Sequence, residues 1–145
     1  MRKPWLPLMS ALITAAAGIT LAFTVPASGA SVAQESPPKP MITIVGKGDI
    51  LNAGRYVGVR LRIRCQGTAT ITVSLAQRKP GRTVTGSGTL GRVTCTGEDQ
   101  DITVLVSADA PYLFTPGMAE GNAELTACTD GGCVSGTDNR QLHLG

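Results

Sequence analysis

From Val57 onward the side chains alternate. Val57, Val59, Leu61, Ile63 and Cys65 are apolar, and Arg60, Arg62 and Arg64 between them are charged. A period of two sends one set to each face of an extended strand, whereas a helix would scatter both sets around its axis. The pattern recurs. Ala69, Ile71, Val73 and Leu75 alternate with Thr70, Thr72 and Ser74, and Ile102, Val104 and Val106 form a third run. Ala119, Gly121, Ala123, Leu125 and Ala127 alternate with Glu120, Asn122, Glu124 and Thr126. Shorter runs lie at 41–45, 93–95 and 140–144. Between them stand residues with turn chemistry: Lys47-Gly48-Asp49, Lys79-Pro80-Gly81, Gly86-Ser87-Gly88, Gly97-Glu98-Asp99, Pro116-Gly117 and Asp130-Gly131-Gly132. After the N-terminal segment no stretch holds an apolar 3.6-residue period for three turns. About seven short strands at this spacing predict an all-β, antiparallel sandwich.

The N-terminal segment reads differently. Arg2 and Lys3 precede an uncharged apolar stretch, 6–25, then Pro26 and the small residues Ala27-Ser28-Gly29-Ala30. A positive head, an apolar core and a small-residue cleavage site are the order of a secretory signal, here 1–30. The stretch is long enough to span a bilayer, but its Thr and Gly content and the cleavage site favour removal over anchoring. The mature protein is then expected outside the cell without stable membrane insertion. Residues 31–40 hold three prolines and little to bury, and are expected to form a disordered lead-in to a folded domain at 41–145.

Removal of the signal changes the charge argument. Of 13 Lys and Arg, Arg2 and Lys3 leave, so 11 face 10 Asp and Glu and the formal net charge falls from +3 to +1. That balance gives no reason to expect a nucleic-acid partner. Tyr56, Tyr112 and Phe114 are the remaining aromatics, a small endowment for stacking on sugars or bases.

Many inward positions are Ala, Gly, Thr or Val, so the core is thin and disulfides are expected to reinforce it. Four cysteines allow three pairings. Cys128 and Cys133 enclose Thr129-Asp130-Gly131-Gly132 like a staple across a hairpin. Cys65 then pairs with Cys95, each at or near the end of a β run. The alternative, Cys65 with Cys128 and Cys95 with Cys133, fits less well because Cys128 falls on the outward phase of its run. Metal ligation by these cysteines is disfavoured, since no matching second pair and no histidine accompany them.

Residues able to run a reaction are scarce, and neither a catalytic site nor a cofactor is expected. The single histidine, His143, lies between Leu142 and Leu144 and should point to solvent. A catalytic triad needs a nucleophile and an orienting carboxylate that nothing places beside it. Glu98, Asp99 and Asp101 form an acidic turn. It lacks the ligand periodicity of a calcium loop and the setting of a glycosidase pair, and reads as a solvated turn. The row Arg60, Arg62 and Arg64 is the most distinctive feature. Strand geometry spaces its members about 6.6 to 7 Å apart on one face, where they could meet an anionic cell-envelope polymer, extracellular nucleic acid or an acidic protein. Arg55, Arg78, Lys79 and Arg82 lie nearby in sequence. The competing explanation is that outward charges keep the sheet soluble and its edge unpaired.

Cys128-Thr129-Asp130-Gly131-Gly132-Cys133, followed by Val134, Gly136 and Asp138-Asn139, resembles part of the neocarzinostatin-type apoproteins. Those are secreted actinobacterial, seven-stranded, immunoglobulin-like sandwiches with two disulfides that carry an enediyne chromophore. The resemblance implies the fold. It implies no ligand residue, since the family's pocket aromatics have no counterparts here and its second disulfide closes a short loop. With Pro116-Gly117 ahead of an Ala-rich run, the chain also resembles the Thr-, Gly- and Val-rich secreted immunoglobulin-like proteins of actinobacteria. That resemblance bears on fold and compartment and leaves function open. With no catalytic constellation in the residues, the expectation is a non-catalytic extracellular or cell-envelope binding module; alternatively, the neocarzinostatin likeness implies a small-molecule carrier. An apolar cleft would mark the carrier, and shallow polar grooves the module.

Overall fold

The computed structural model describes residues 38–145. The expected signal at 1–30 and the lead-in as far as 37 lie outside the described residues. Seven strands follow one another: β1 (Met41–Leu51), β2 (Tyr56–Arg64), β3 (Thr68–Lys79), β4 (Arg82–Thr94), β5 (Gln100–Ala108), β6 (Gly117–Thr129) and β7 (Gly132–Leu144). A single 3-10 turn, Asn52–Gly54, joins β1 to β2.

The alternating residues lie where their period sends them. Val57, Val59, Leu61 and Ile63 are buried from β2, Ile71, Val73 and Leu75 from β3, and Ala119, Ala123, Leu125 and Ala127 from β6. Two turn predictions also hold. Pro80-Gly81 is the two-residue connection between β3 and β4, with Lys79 opposite Arg82. Asp130-Gly131 does the same between β6 and β7, with Cys128 opposite Cys133.

The strands do not remain an open antiparallel sandwich. They close in the order β1-β2-β5-β4-β3-β6-β7, and β1 runs parallel to β7, so the sheet is mixed. Two well-paired blocks, β1-β2-β5 and β4-β3-β6-β7, meet along two short seams. One joins Gly86 to Ala108 and Ser87 to Ser107, and the other joins Lys47 to His143 and Gly48 to Leu144.

Closure explains two glycine clusters that do not make the turns expected of them. Gly86-Ser87-Gly88 lies within β4. A Cβ at Gly88 would collide with the Leu105 carbonyl, and one at Gly86 with the Ser107 carbonyl and, at 3.0 Å, with the Phe114 ring. These residues are small so that β4 can reach β5. Lys47-Gly48-Asp49 lies within β1, after an irregularity between Ile44 and Gly48. A Cβ at Gly48 would come within 2.9 Å of both Leu144 and Val57. The bulge redirects the strand, which lets one strand serve both β2 and β7. Pro40, the last residue of the lead-in, is buried. Its carbonyl would lie 2.7 Å from a Cβ at Gly136, so the chain is packed before β1 begins.

The interior is filled mainly by aliphatic side chains, among them Ile44, Leu61, Ile71, Leu75, Leu125, Leu142 and Leu144. Phe114 is buried with them although it comes from the loop between β5 and β6. Its N–H donates to the Gly54 carbonyl at 3.0 Å. The neighbouring Thr115 is clasped by Gln77, itself only 3% exposed. Gln77 Nε2 donates to the Thr115 carbonyl at 2.6 Å, and the Thr115 N–H donates to Gln77 Oε1 at 3.0 Å. The amide thus supplies the donor and acceptor that a neighbouring strand would otherwise provide, which is what makes its burial tolerable.

Cys65 is bonded to Cys95 and Cys128 to Cys133. The first bridge follows β2 and β4, one strand from each block, and so ties the blocks where β4 and β5 do not pair. The backbone reinforces it: Cys95 N–H donates to the Gly67 carbonyl, and Gly97 N–H to that of Cys65, both at 2.9 Å. Where β1 and β7 lack a ladder, Asp138 Oδ2 accepts the Ile44 N–H at 2.8 Å and holds the two strands together.

Candidate functional site

Arg60, Arg62 and Arg64 do share the outer face of β2, and all three are exposed. They do not form a free cationic row. Register sets Arg62 opposite Asp101 of β5. Its Nε donates to Oδ1 at 2.9 Å and a terminal nitrogen to Oδ2 at 3.4 Å, a two-point pair. Arg64 Nε donates to Asp99 Oδ1 at 3.0 Å. The acidic turn is therefore the counter-charge of the arginine row. The hydrogen bond with Asp101 raises the Arg62 pKa, and the same bond draws the Asp101 carboxyl below its ordinary value. Arg60, opposite Thr103, has no such partner among the described residues. These pairs are solvent-exposed and add little to stability, but they cancel much of the charge an anionic partner would read.

Asp99 and Asp101 are engaged by arginines, and no three His, Cys, Asp or Glu side chains converge among the described residues. His143 is exposed on β7 opposite Met118, on the face its alternation indicated. Its register partners are Met118 of β6 and Lys47 of β1.

The more developed surface lies on the other block. The outer faces of β4, β3, β6 and β7 form an open groove of about 770 Å³. Register aligns Ser87, Ser74, Asn122 and Asn139 in one row straight across the four strands. A second row holds Thr85, Ala76, Glu120 and Gln141. Neighbouring strands are about 4.8 Å apart and successive outward residues about 6.8 Å, so hydroxyls and carboxamides stand on a regular grid.

The edges of this grid are internally satisfied. Thr85 Oγ1 donates to Asp109 Oδ2 at 2.7 Å, Thr72 and Thr89 share a hydrogen bond of 3.4 Å, and Thr126 and Ser135 one of 3.1 Å. Ser74, Ser87, Asn122, Asn139 and Gln141 make no side-chain hydrogen bond to other described residues. Their donors and acceptors point into the groove. The charges bordering it nearly balance: Glu120 lies 3.7 Å from Arg78, and Arg140 3.5 Å from Asp138.

Sequence alternation identified the outward phase of β3 and β6 but not this site. Thr70-x-Thr72-x-Ser74 and Glu120-x-Asn122-x-Glu124 are distant in the chain, and only lateral pairing brings Ser74 opposite Asn122. The available signal was compositional: outward positions on four runs favour short hydroxyl and amide side chains, with few of the long charges usual on a solvated sheet face.

No family model matches the chain, and no curated protein matches it. Among solved structures it is similar to AggA, the major subunit of aggregative adherence fimbriae type I from Escherichia coli. The two are 12% identical with a TM-score of 0.37, and the match covers 76% of this chain and 95% of that one.

Proposed function

We propose that this chain is a secreted, non-catalytic binding module that takes an uncharged, hydroxyl-rich ligand, such as a glycan chain, on the outer face of β4-β3-β6-β7. The observation that carries this reading is the row Ser87–Ser74–Asn122–Asn139. It is a line of hydroxyls and carboxamides with no net charge and, among the described residues, no side-chain hydrogen-bond partners. Groups that both donate and accept suit hydroxyls, which do the same. The groove lacks an aromatic platform, so recognition rests on hydrogen bonds and is expected to be weak.

Secretion is supported by the head, core and cleavage-site pattern at 1–30 and by two disulfides, which persist in oxidising compartments. The strand order of the two blocks suits an immunoglobulin-like fold whose edges have been drawn together, in keeping with the resemblance to secreted actinobacterial proteins of that form. The carrier reading is less well supported. The space between the blocks is packed with side chains, and the groove is polar, whereas a carrier of an apolar chromophore needs an apolar cleft.

Affinity electrophoresis through gels containing neutral polysaccharides tests the proposal. Retardation by at least one of them should be insensitive to salt, and the pair Asn122→Ala and Asn139→Ala should abolish it without lowering the melting temperature. Retardation that survives the double substitution, or none across a broad polysaccharide panel, would refute the site.

A further inference from the structure

The barrel has two chemically different ends. At one, residues 51–56, 79–82 and 108–117 form the connections; they carry Arg55, Lys79 and Arg82 and one carboxylate, Asp109, already engaged by the Thr85 hydroxyl, with Asp49 just before them on β1. At the other end Glu98, Asp99 and Asp130 stand in the connections, and Arg64 is paired with Asp99. Arg55, Lys79 and Arg82, neighbours of the arginine row in sequence, therefore stand at an end of their own.

Apolar side chains gather with them. Leu51, Tyr112 and Leu113 are 45%, 44% and 43% exposed. Scattered exposed apolar residues are ordinary, but Tyr112 and Leu113 are neighbours on one loop and are held there, while Leu51, at the end of β1, lies over Gly58. The Arg82 guanidinium lies 4.8 Å from the centroid of the Tyr112 ring. Lys79 Nζ donates to Thr115 Oγ1 at 2.7 Å and approaches the Leu113 carbonyl at 3.5 Å. Gly54, two residues from Tyr56, sits so close beneath Leu113 that a Cβ there would be 3.2 Å from the leucine Cβ. Gln77 fixes the loop that carries both Tyr112 and Leu113.

We infer that this end of the barrel docks peripherally on an anionic lipid bilayer. Tyr112 and Leu113 enter the headgroup boundary while Arg55, Lys79 and Arg82 meet lipid phosphates. A tyrosine and a leucine flanked by Arg82 and Lys79 match the two layers of such a surface, apolar below and negative above. A soluble polyanion would use the cations and leave the apolar groups in water. The polar groove runs along a side wall of the barrel and reaches this end at Asp109.

Cosedimentation with unilamellar vesicles tests the inference. The protein should pellet with vesicles of phosphatidylglycerol and phosphatidylcholine, not with phosphatidylcholine alone, and salt should weaken the association. Arg82→Gln should lower the partition coefficient about five-fold, and Leu113→Ser and Tyr112→Ser about ten-fold each. All three side chains are exposed, and unchanged melting curves confirm that each variant is folded. Should Leu113→Ser fail to fold, Tyr112→Ser and Arg82→Gln carry the test. Absence of binding to phosphatidylglycerol vesicles at low salt would overturn the inference. So would vesicle binding that ignores the serine substitutions while dextran sulfate is bound as tightly, since that is the behaviour of a polyanion site.

Discussion

Gln77 is the buried polar side chain on which the β5–β6 loop depends, and replacing it by leucine isolates its contribution. Leucine preserves most of the volume but removes both hydrogen bonds to Thr115, leaving a backbone N–H and a carbonyl without partners in a part-buried site. Each unsatisfied group costs about 1–3 kcal/mol. Partial relaxation of the loop toward water brings the expected total to about 2–4 kcal/mol. At about 4 °C per kcal/mol for a domain of this size, the melting temperature should fall by roughly 8–16 °C. Urea denaturation followed by circular dichroism measures the free energy, and amide exchange at Thr115 reports the loop directly. Gln77→Glu separates the two hydrogen bonds. An ionised carboxyl accepts the Thr115 N–H but cannot donate to the carbonyl, whereas a protonated one does both. The deficit of that variant relative to wild type should therefore shrink as pH falls. Phe114→Ala, expected to cost about 3–5 kcal/mol, should be non-additive with Gln77→Leu because both act through one loop. A Gln77→Leu variant within about 0.5 kcal/mol of wild type, the range of an ordinary surface change, would refute the clasp.

The disulfides should differ in weight. Chain-entropy loss predicts about 3.7 kcal/mol for the Cys65–Cys95 link and about 2.2 for Cys128–Cys133, their separations being 30 and 5 residues. Paired Cys→Ala variants compared by denaturation should show that order. The Arg62–Asp101 pair lowers the Asp101 pKa in the folded state, so its contribution is present above the unfolded carboxyl value and disappears as pH falls through the folded one. A side-chain carboxyl titration by NMR should place Asp101 below the usual aspartate range, and Arg62→Gln should return it there. An unchanged midpoint would mean that the pair does not persist in solution.

Alternation along the chain determined which face of each strand is buried, because a period of two is a local property of extended backbone. Val57 to Ile63 inward, Arg60 to Arg64 outward, and His143 in solvent all follow from it. The Pro80-Gly81 and Asp130-Gly131 connections were equally legible, since tight turns demand particular backbone angles from particular residues. Lateral neighbours were not, because a strand's pattern states what its faces need and says nothing of who lies beside it. Only tertiary pairing set Asp101 against Arg62, which turned a supposed binding face into a largely neutralised one. Pairing also aligned Ser74 with Asn122 and so made the groove. Glycine was ambiguous for a related reason: the absent side chain that permits a turn also permits two backbones to touch. Gly86 and Gly88 serve the second purpose, and nothing in Gly-Ser-Gly distinguishes it before β5 is in place. Phe114, in a loop without periodicity, was drawn into the core by a cavity that exists only once the strands have closed around it.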